Sequence, residues 1–314
     1  MSHSNLPNIS SDPLNLLNVD QKTNLLSDPV RVAEFSLDNN RLPVLGRSKA
    51  RYFYEAVVAK GRKMPIKAKL SDGYNQDIIK EREDDGLIFL TRWISSLAPP
   101  NSSLKEIIHD CDFVICRGTL LRLMTSCYDS IPHSVGMKLV CCKLKGVYFI
   151  REYYTSTRIE KEVNMIDRHN RMCYEAHKFK QLVTTKGQGK RPDFKETVCV
   201  KPDFIGVFKV LRWWVQAYLA GIRKLAIGIH ENGRLNQVEY LEMSSLANHL
   251  SMSGVNVACC FVFLYLDLAP EGVILLSERL PTSTEFNFKL FDPGSAEAAI
   301  YEVISNEFKS HGWL

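Results

Sequence analysis

The chain has 314 residues, of which 45% are hydrophobic and 24% charged, and its formal net charge is +5. This is the composition of an ordinary soluble globular protein. The nine cysteines form no C-x-x-C pair and are odd in number, which argues against a disulfide framework or a zinc site. The longest apolar run, 255–269, carries Asp267 and is too short for a membrane span. We therefore expect an intracellular protein without a signal peptide.

The predicted elements alternate between strands and helices without a strict β-α-β rhythm, which favours one α+β domain with mixed sheets. Residues 1–29 are rich in Asn, Ser, Asp and Leu and are expected to form a flexible tail, with the domain spanning 30–314. In chain order we predict a strand at 30–38, a helix at 84–100, a strand at 111–118, a short helix at 119–128, a hairpin at 134–155, helices at 158–185 and 208–222, a hairpin at 223–241, a helix at 257–268 and a strand at 272–278.

Positive charge is concentrated in one segment of the chain. From Arg171 to Lys224 there are 12 Lys and Arg residues against four acids, and the remainder of the chain has a net negative charge. Such asymmetry indicates a polyanionic partner, although a basic segment can equally be a solvated face. The stretch CYEAHKFKQL at 173–182 lies in this segment and has apolar residues at rough helical spacing. It predicts an RNA-binding helix, a solvated face or the remnant of a metal site.

The common catalytic motifs are missing from the sequence. It contains no G-x-G-x-x-G, G-x-x-x-x-G-K-[ST], H-E-x-x-H or G-x-S-x-G pattern. KGQGK at 186–190 does not link a strand to a helix, and the eight histidines lack ligand spacing. Cys116 precedes Arg117, which could activate a thiolate, but a structural cysteine on a strand is the expected interpretation. The paired Trp213 and Trp214 point about 100° apart on a helix, so one should face the core and the other its edge.

Several segments, in order over most of residues 30 to 280, resemble the Rai1/DXO family of decapping exonucleases. The similar segments are VAEFSLD and RYFYEA near the start, FVICRGTLLRLMTSCYD (113–129), KLKGVYFIREYYT (143–155), RMCYEAHKFKQ (171–181) and KVLRWWVQAYLAGI (209–222). The resemblance implies a domain with two mixed or antiparallel β-sheets flanked by helices. It also implies catalysis by carboxylates that hold Mg²⁺ or Mn²⁺, with a lysine and a glutamine beside them.

The departures from the family pattern concern those carboxylates. Two divalent cations clamp a phosphodiester only when oxygen ligands hold them. The family glutamate in RMCYEAHKFKQ falls on Lys180, so an ammonium would stand where a cation should sit. The next family motifs, E-x-D and E-Φ-K, would lie in 182–212, which is too short for the strand pair that carries them. Glu196 and Asp203 there are seven residues apart, not the two that place acids on one strand face.

We therefore expect a pseudo-enzyme with no catalytic residues and no cofactor. Three positions remain as family-matching remnants: Arg117, Glu152 and Gln216. The RNA-binding candidates are Arg117, Lys178, Lys180, Lys186, Lys190, Arg191, Lys209 and Arg212. The resemblance to degenerate family members implies a nuclear protein that binds RNA 5′ ends or nascent transcripts and shields them from decapping, termination or processing. It also implies protein partners in a heterochromatin-associated complex, and no membrane.

Two alternatives stay open. A working Mg²⁺- or Mn²⁺-dependent decapping enzyme could use acids downstream of the tryptophans, namely Glu231, Glu239 and Glu242. A protein scaffold could instead turn its basic segment towards an acidic partner chain. Cleavage of RNA would distinguish the first alternative, and failure to retain RNA the second.

Overall fold

Two β-sheets and the helices packed on them form the computed structural model. It describes residues 9–10, 27–57, 59, 66, 68–75, 85–99, 101–129, 134–164, 166–185, 195–200, 206–253 and 269–314. The strands are β1 Ile9–Ser10, β2 Phe35–Leu37, β3 Pro43–Leu45, β4 Tyr52–Phe53, β5 Ala68–Lys69, β6 Phe113–Ile115, β7 Met137–Leu144, β8 Val147–Tyr153, β9 Thr184–Thr185, β10 Lys195–Val200, β11 Lys224–Glu231, β12 Arg234–Glu242, β13 Ile274–Arg279 and β14 Glu285–Phe291. The helices are α1 Ile88–Leu97, α2 Leu104–Ile107, α3 Arg117–Thr125, α4 Ser156–Asn164, α5 Ile166–Val183, α6 Val207–Leu219, α7 Met243–Met252, α8 Ala296–Ala299 and α9 Asn306–Lys309, and a 3₁₀ turn, Ser126–Tyr128, extends α3.

The first sheet has six strands in the order β1-β14-β13-β7-β8-β6. Its pairs are antiparallel except β6 with β8, which is parallel. Residues on one face, including Val140 and Phe149, pack against α1, α2 and the C-terminal Trp313. Their neighbours Leu139 and Ile150 lie in a second cluster together with Leu123 of α3. Alternation along β7 and β8 thus buries both faces of this sheet.

The second sheet has four strands in the order β10-β11-β12-β5. β10 runs parallel to β11, and β11 forms an antiparallel hairpin with β12. The hairpin turn is made by Asn232 and Gly233, both with positive φ, 48° and 76°. Two successive left-handed residues fit the right-handed twist of a two-residue hairpin. Short pairs β2–β3 and β4–β9 complete the described strands.

Most predicted elements appear at their expected places. The helix at 84–100, the short helix after 118, both hairpins and the strand at 272–278 are confirmed as α1, α3, β7–β8, β11–β12 and β13. The helix at 208–222 is α6, and Gly221 after it has φ of 63° as a C-terminal cap requires. The strand at 30–38 is shorter than predicted because β2 pairs only with the three residues of β3. The predicted helix at 257–268 lies outside the described residues.

The helix predicted at 158–185 appears as α4 and α5 on either side of residue 165, which lies outside the described residues. α4 buries no side chain, whereas α5 buries Phe179 and Val183 against the second sheet. One other segment differs from the prediction. The interval 182–212, where we predicted no strand, contains β10, whose backbone gains a partner in β11. Ile9 and Ser10, inside the predicted tail, pair with Phe286 and Glu285. No helix in the described part of the chain is long and apolar enough to cross a bilayer.

Candidate nucleic-acid interface

Glu152 on β8 is held by two arginines. Its Oε1 accepts hydrogen bonds from Arg122 of α3 and from Nη1 of Arg158 of α4, the latter at 3.0 Å. Nη2 of Arg122 also donates to the carbonyl of Gly136 at 3.1 Å. The Glu152 side chain is 10% exposed, so its charge is balanced by these guanidinium groups rather than by water. A metal ion at this carboxylate would have to displace two partly buried guanidinium groups.

A second ion pair joins Arg279 of β13 to Asp129. The distance from Arg279 Nη2 to Asp129 Oδ2 is 2.8 Å, and the Arg279 side chain is 1% exposed. The Nε of Arg279 is buried and has no hydrogen-bond partner among the described residues. A buried donor without an acceptor costs free energy, so this guanidinium is only partly satisfied by the protein.

Arg212 of α6 lies close to both ion pairs. Desolvation lowers the pKa of Arg212, the positive charge of Arg122 lowers it further, and Asp129 and Glu152 oppose both effects. The residue nevertheless retains access to solvent. Its guanidinium makes no hydrogen bond or ion pair with a described residue, and its recorded ring contact is with Phe208, at 5.9 Å. We call Arg122, Asp129, Glu152, Arg158, Arg212 and Arg279 the arginine cluster.

The family-matching remnants lie on elements that border this cluster. Arg117 is the first residue of α3 and is exposed, and Gln216 is half-buried on α6. Helices α3 and α6 pack together through Leu121, Met124, Val210 and Leu211 and their neighbours. Glu152 is therefore the remnant that the structure places in the cluster itself, whereas Arg117 and Gln216 lie on the two adjoining helices.

Lys178 and Lys180 lie on α5, on either side of a buried residue. The Phe179 ring is fully buried against Gly228 of β11, and a Cβ built on that glycine would lie 2.5 Å from the ring. Lys180 is exposed, and the Lys178 ammonium lies 5.5 Å from the ring centre of Tyr174. Lys180, which we predicted to replace a family glutamate, thus presents its ammonium group to solvent on a helix anchored by Phe179.

Helices α5 and α6 cover opposite faces of the second sheet. Leu225 and Ile227 of β11 pack with α6, whereas Gly228 of the same strand contacts Phe179 of α5. Successive strand residues point to opposite faces, so the sheet separates the two helices. The structure therefore divides the RNA-binding candidates into Lys178 and Lys180 on one face and Lys209 and Arg212 on α6. The other candidates between them, Lys186, Lys190 and Arg191, lie outside the described residues.

The two tryptophans of α6 have different environments. Trp213 is 7% exposed and belongs to the core, and the Lys209 ammonium lies 5.6 Å from its ring centre. Trp214 is half-buried and stacks on Tyr218 with 4.9 Å between ring centres and 10° between planes. One ring in the core and one at its edge is the arrangement expected from their 100° separation on the helix.

Acidic residues do not converge into a metal site within the described part of the chain. No group of three or more His, Cys, Asp or Glu residues in that part could hold a metal ion. Glu231 and Glu242 lie at opposite ends of the β11–β12 hairpin, and Glu242 pairs with Lys224 at 2.7 Å. Glu239 accepts a hydrogen bond from Gln237 at 2.8 Å. Asp203 and the side chain of Glu196 are outside the described residues.

The environments of Cys116, Cys141 and Cys142 favour the protonated thiol. Burial raises the pKa of the Cys141 thiol, and it raises that of Cys142 to about 12. Cys116 donates to the carbonyl of Gly86 at 3.4 Å, as a protonated thiol does. A thiolate nucleophile needs the opposite shift, so these three residues fit the structural role predicted for Cys116.

Sequence reasoning missed four members of the cluster: Arg122, Asp129, Arg158 and Arg279. Arg122 and Asp129 lie inside the segment FVICRGTLLRLMTSCYD that carries Arg117. The sequence pattern that could have identified them is a basic residue on the same predicted helix as Arg117 and an acidic residue just after that helix. No local signal connects Arg279 with Asp129, because 150 residues separate them and only the sheet brings them together.

Comparisons with known proteins agree on one family. The model of the RAI1 like PD-(D/E)XK nuclease family matches residues 27–210, which is more than half of the chain. The decapping nuclease dom-3 of Caenorhabditis elegans is 29% identical over 178 residues, which are 57% of this chain and 43% of that protein. The decapping and exoribonuclease protein of Xenopus laevis is 22% identical over 278 residues, with 69% of this chain and 68% of that protein covered. The chain thus spans less than half the length of the first of these relatives.

Solved structures show the same fold at low sequence identity. Scheffersomyces stipitis Rai1, in complex with 3′-NADP⁺ and calcium, superposes with a TM-score of 0.70 at 14% identity, covering 91% of this chain and 95% of that one. Candida albicans Rai1, in complex with pU5 and Mn²⁺, gives 0.67 at 14% identity and covers 99% of both. These likenesses confirm the predicted α+β fold of two sheets flanked by helices. The chain belongs to the RAI1-like PD-(D/E)XK nuclease family.

Proposed function

We propose that this chain is a catalytically inactive Rai1/DXO-like nuclear protein that binds RNA 5′ ends or nascent transcripts and protects them from decapping, termination or processing. The proposal rests on the family resemblance, which aligns Lys180 with a glutamate, and on the observation that Lys180 is exposed on α5. At about 4 Å and an effective dielectric constant near 20, exchanging an anion for a cation changes the interaction by roughly 8 kcal/mol per unit of metal charge. A divalent cation would be repelled where the family pattern would hold it.

The state of Glu152 supports this proposal. Its carboxylate is already neutralised by Arg122 and Arg158, so its charge is not free to attract a metal ion. Extra positive charge suits a different task, since Lys and Arg side chains retain phosphate groups with strong salt dependence and little sequence preference. Lys180 in place of a glutamate and the neutralised carboxylate of Glu152 therefore favour RNA binding without cleavage.

The role within the cell follows from the resemblance to degenerate family members. The chain resembles Cutoff, an insect germline protein of this family, and its segment MIDRHNRMCYEAHKFKQ at 165–181 is similar to insect sequences. The proposed role is then protection of piRNA-precursor transcripts in the nucleus, together with partners in a heterochromatin-associated complex. No cofactor is needed for that role, whereas the enzymatic alternative would need Mg²⁺ or Mn²⁺.

A second candidate function is metal-dependent RNA decapping or 5′–3′ exonuclease activity. The observation that favours it is the relationship to proteins called decapping nuclease and exoribonuclease. It requires ligands beyond the described residues, because the acids of the β11–β12 hairpin lie apart. A third candidate, a pure protein scaffold in a chromatin-bound complex, would use the basic segment to bind an acidic chain.

One experiment separates these candidates. The purified chain is incubated with RNA carrying a 5′-triphosphate, an NAD cap or an unmethylated cap, with Mn²⁺ or with EDTA, and both RNA retention and RNA length are measured. The proposal predicts retention in both buffers and intact RNA in both. Shortened or decapped RNA that appears with Mn²⁺ and is abolished by EDTA would establish the enzyme. If the chain retains no RNA at low salt, the protein scaffold remains as the candidate function.

A further inference from the structure

The arginine cluster contains more positive charge than its own carboxylates balance. Four guanidinium groups meet two carboxylates, Asp129 and Glu152, and the third nearby acid, Glu162, pairs with Nε of Arg158 at 2.8 Å from a side chain that is 47% exposed. Within the part of the chain that the structure describes, the cluster thus keeps a net charge of +1 in a partly buried setting. Like charges held together at low dielectric are costly unless an anion joins them.

Arg212 is the member whose hydrogen-bonding capacity is unused. A guanidinium has five N–H donors, and that of Arg212 gives none of them to a described residue. Arg122 and Arg158, in contrast, each donate to Glu152. Desolvation already lowers the pKa of Arg212, so part of its hydration is lost without a protein acceptor in return. Because the residue remains exposed, an anion from solution can reach it.

An exposed aromatic ring lies next to this guanidinium. Phe208 is 37% exposed, and Arg212 is 5.9 Å from its ring centre. Lys209 lies three residues before Arg212 on α6, on the same helical face. A cation beside an exposed ring is the pairing that single-stranded nucleic acids recognise, since phosphates meet the charge and a base stacks on the ring. A free inorganic anion would make no stacking contact with the ring.

We propose that Arg212, beside Arg122, binds a phosphate group of a polynucleotide strand, and that Phe208 stacks a neighbouring base. This inference rests on the proposed RNA binding and locates one contact on the α6 face of the second sheet. That face is opposite to the one covered by α5, so the site is separable from Lys178 and Lys180. The phosphate is either the 5′-terminal group or an internal phosphodiester, and both share the same chemistry.

The test compares Arg212→Gln with wild type by fluorescence anisotropy, using a single-stranded RNA with a 5′-phosphate and the same RNA with a 5′-hydroxyl. Arg212→Gln should weaken binding roughly tenfold or more. It should also lower the slope of log K against log salt by about 0.7, the contribution of one phosphate on a single strand. Loss confined to the phosphorylated RNA assigns the terminal group, and equal loss assigns an internal one.

Three variants control this experiment. Arg212→Lys keeps the charge and should restore the salt slope. Phe208→Ala should weaken binding of either RNA and leave the slope unchanged. Arg92→Gln, an exposed arginine on α1, should change neither quantity. The melting temperature of Arg212→Gln should be close to that of wild type, because no ion pair is lost and the relieved repulsion by Arg122 offsets the lost attraction to Asp129 and Glu152.

Wild-type affinity and salt slope in Arg212→Gln would overturn the site while leaving RNA binding intact. The proposed site would also be refuted if Arg212→Gln melts well below wild type and Arg212→Lys fails to restore the salt slope. Arg212 would then contribute only to the stability of the fold. RNA cleavage by wild type in Mn²⁺, with binding still weakened by Arg212→Gln, would instead refute the inactive state and keep the site. No binding of either RNA by wild type would refute both.

Discussion

Oε1 of Glu152 lies 3.0 Å from Nη1 of Arg158, and the same oxygen accepts a hydrogen bond from Arg122. These contacts connect β8 of the first sheet with α3 and α4. The carboxylate that we predicted to match the family pattern is thereby part of an ion-pair network that joins three elements.

Glu152→Ala should lower the free energy of unfolding by about 3 kcal/mol, because it leaves two partly buried guanidinium groups without their shared acceptor. Chemical denaturation of the two proteins measures the difference. Glu162→Ala is a matched control, since that carboxylate is 47% exposed and its pair should contribute less than about 1 kcal/mol. Unchanged stability of Glu152→Ala with a loss of Mn²⁺ binding would identify Glu152 as a metal ligand.

Gly228→Ala should destabilise the second sheet by about 1–3 kcal/mol. The new Cβ would lie 2.5 Å from Cε2 of Phe179, so a fully buried ring would have to move. Thermal unfolding of Gly228→Ala measures the cost. Combining it with Phe179→Leu, which removes ring atoms at the clash, should give a double variant less destabilised than the two single effects added together. Additive effects would show that Phe179 does not limit the space at residue 228.

Much of the fold was predictable because its elements carry strong local signals. The helix at 208–222 has a regular apolar period and a glycine after it, and the hairpin at 223–241 has the Asn-Gly turn. β10 was missed because its six residues follow a stretch of sequence rich in Gly and Lys, and its partner β11 lies beyond α6.

Lys178→Glu combined with Lys180→Glu should weaken RNA binding at least tenfold and lower the salt slope by about 1.4, as two phosphate contacts are lost. Anisotropy titrations at several salt concentrations measure both quantities. Lys289→Glu, a reversal on the exposed side of β14, is the control. Because α5 and α6 lie on opposite faces of the sheet, these losses and that of Arg212→Gln should add in free energy. Unchanged affinity in the double reversal would show that RNA does not lie on α5.

Cys141 and Cys142 should resist alkylation at pH 8, whereas the exposed Cys111 should react. Burial raises the pKa of both core thiols, to about 12 for Cys142, so almost no thiolate forms at that pH. Mass spectrometry after iodoacetamide treatment measures the labelling. The unfolded chain loses thiol protons from about pH 8.5, so the stability contributed by the neutral thiols is complete below that pH. It should decline as the pH rises towards 12. Rapid labelling of Cys142 in folded protein would contradict its burial.

The candidate site was less predictable than the fold. Lys180 could be singled out because a family pattern places a glutamate at that position. Arg212 was named as a basic residue near Trp213, but the charge around it depends on Arg122, Asp129 and Glu152, which two other segments supply. The Arg279–Asp129 pair spans 150 residues and depends on the register of the first sheet. Sequence patterns identify single charged residues, and only the tertiary structure shows how charges balance.

We propose that ammonium and guanidinium groups of the protein have replaced a divalent cation in a chain that still binds RNA. Crystals grown with a 5′-phosphorylated RNA and then soaked in Mn²⁺ test this replacement, because the anomalous signal of manganese locates the ion. The expected result is RNA phosphates near basic side chains and no ordered manganese beside Lys180. An ordered manganese ion beside Lys180, bridged to an RNA phosphate, would contradict it.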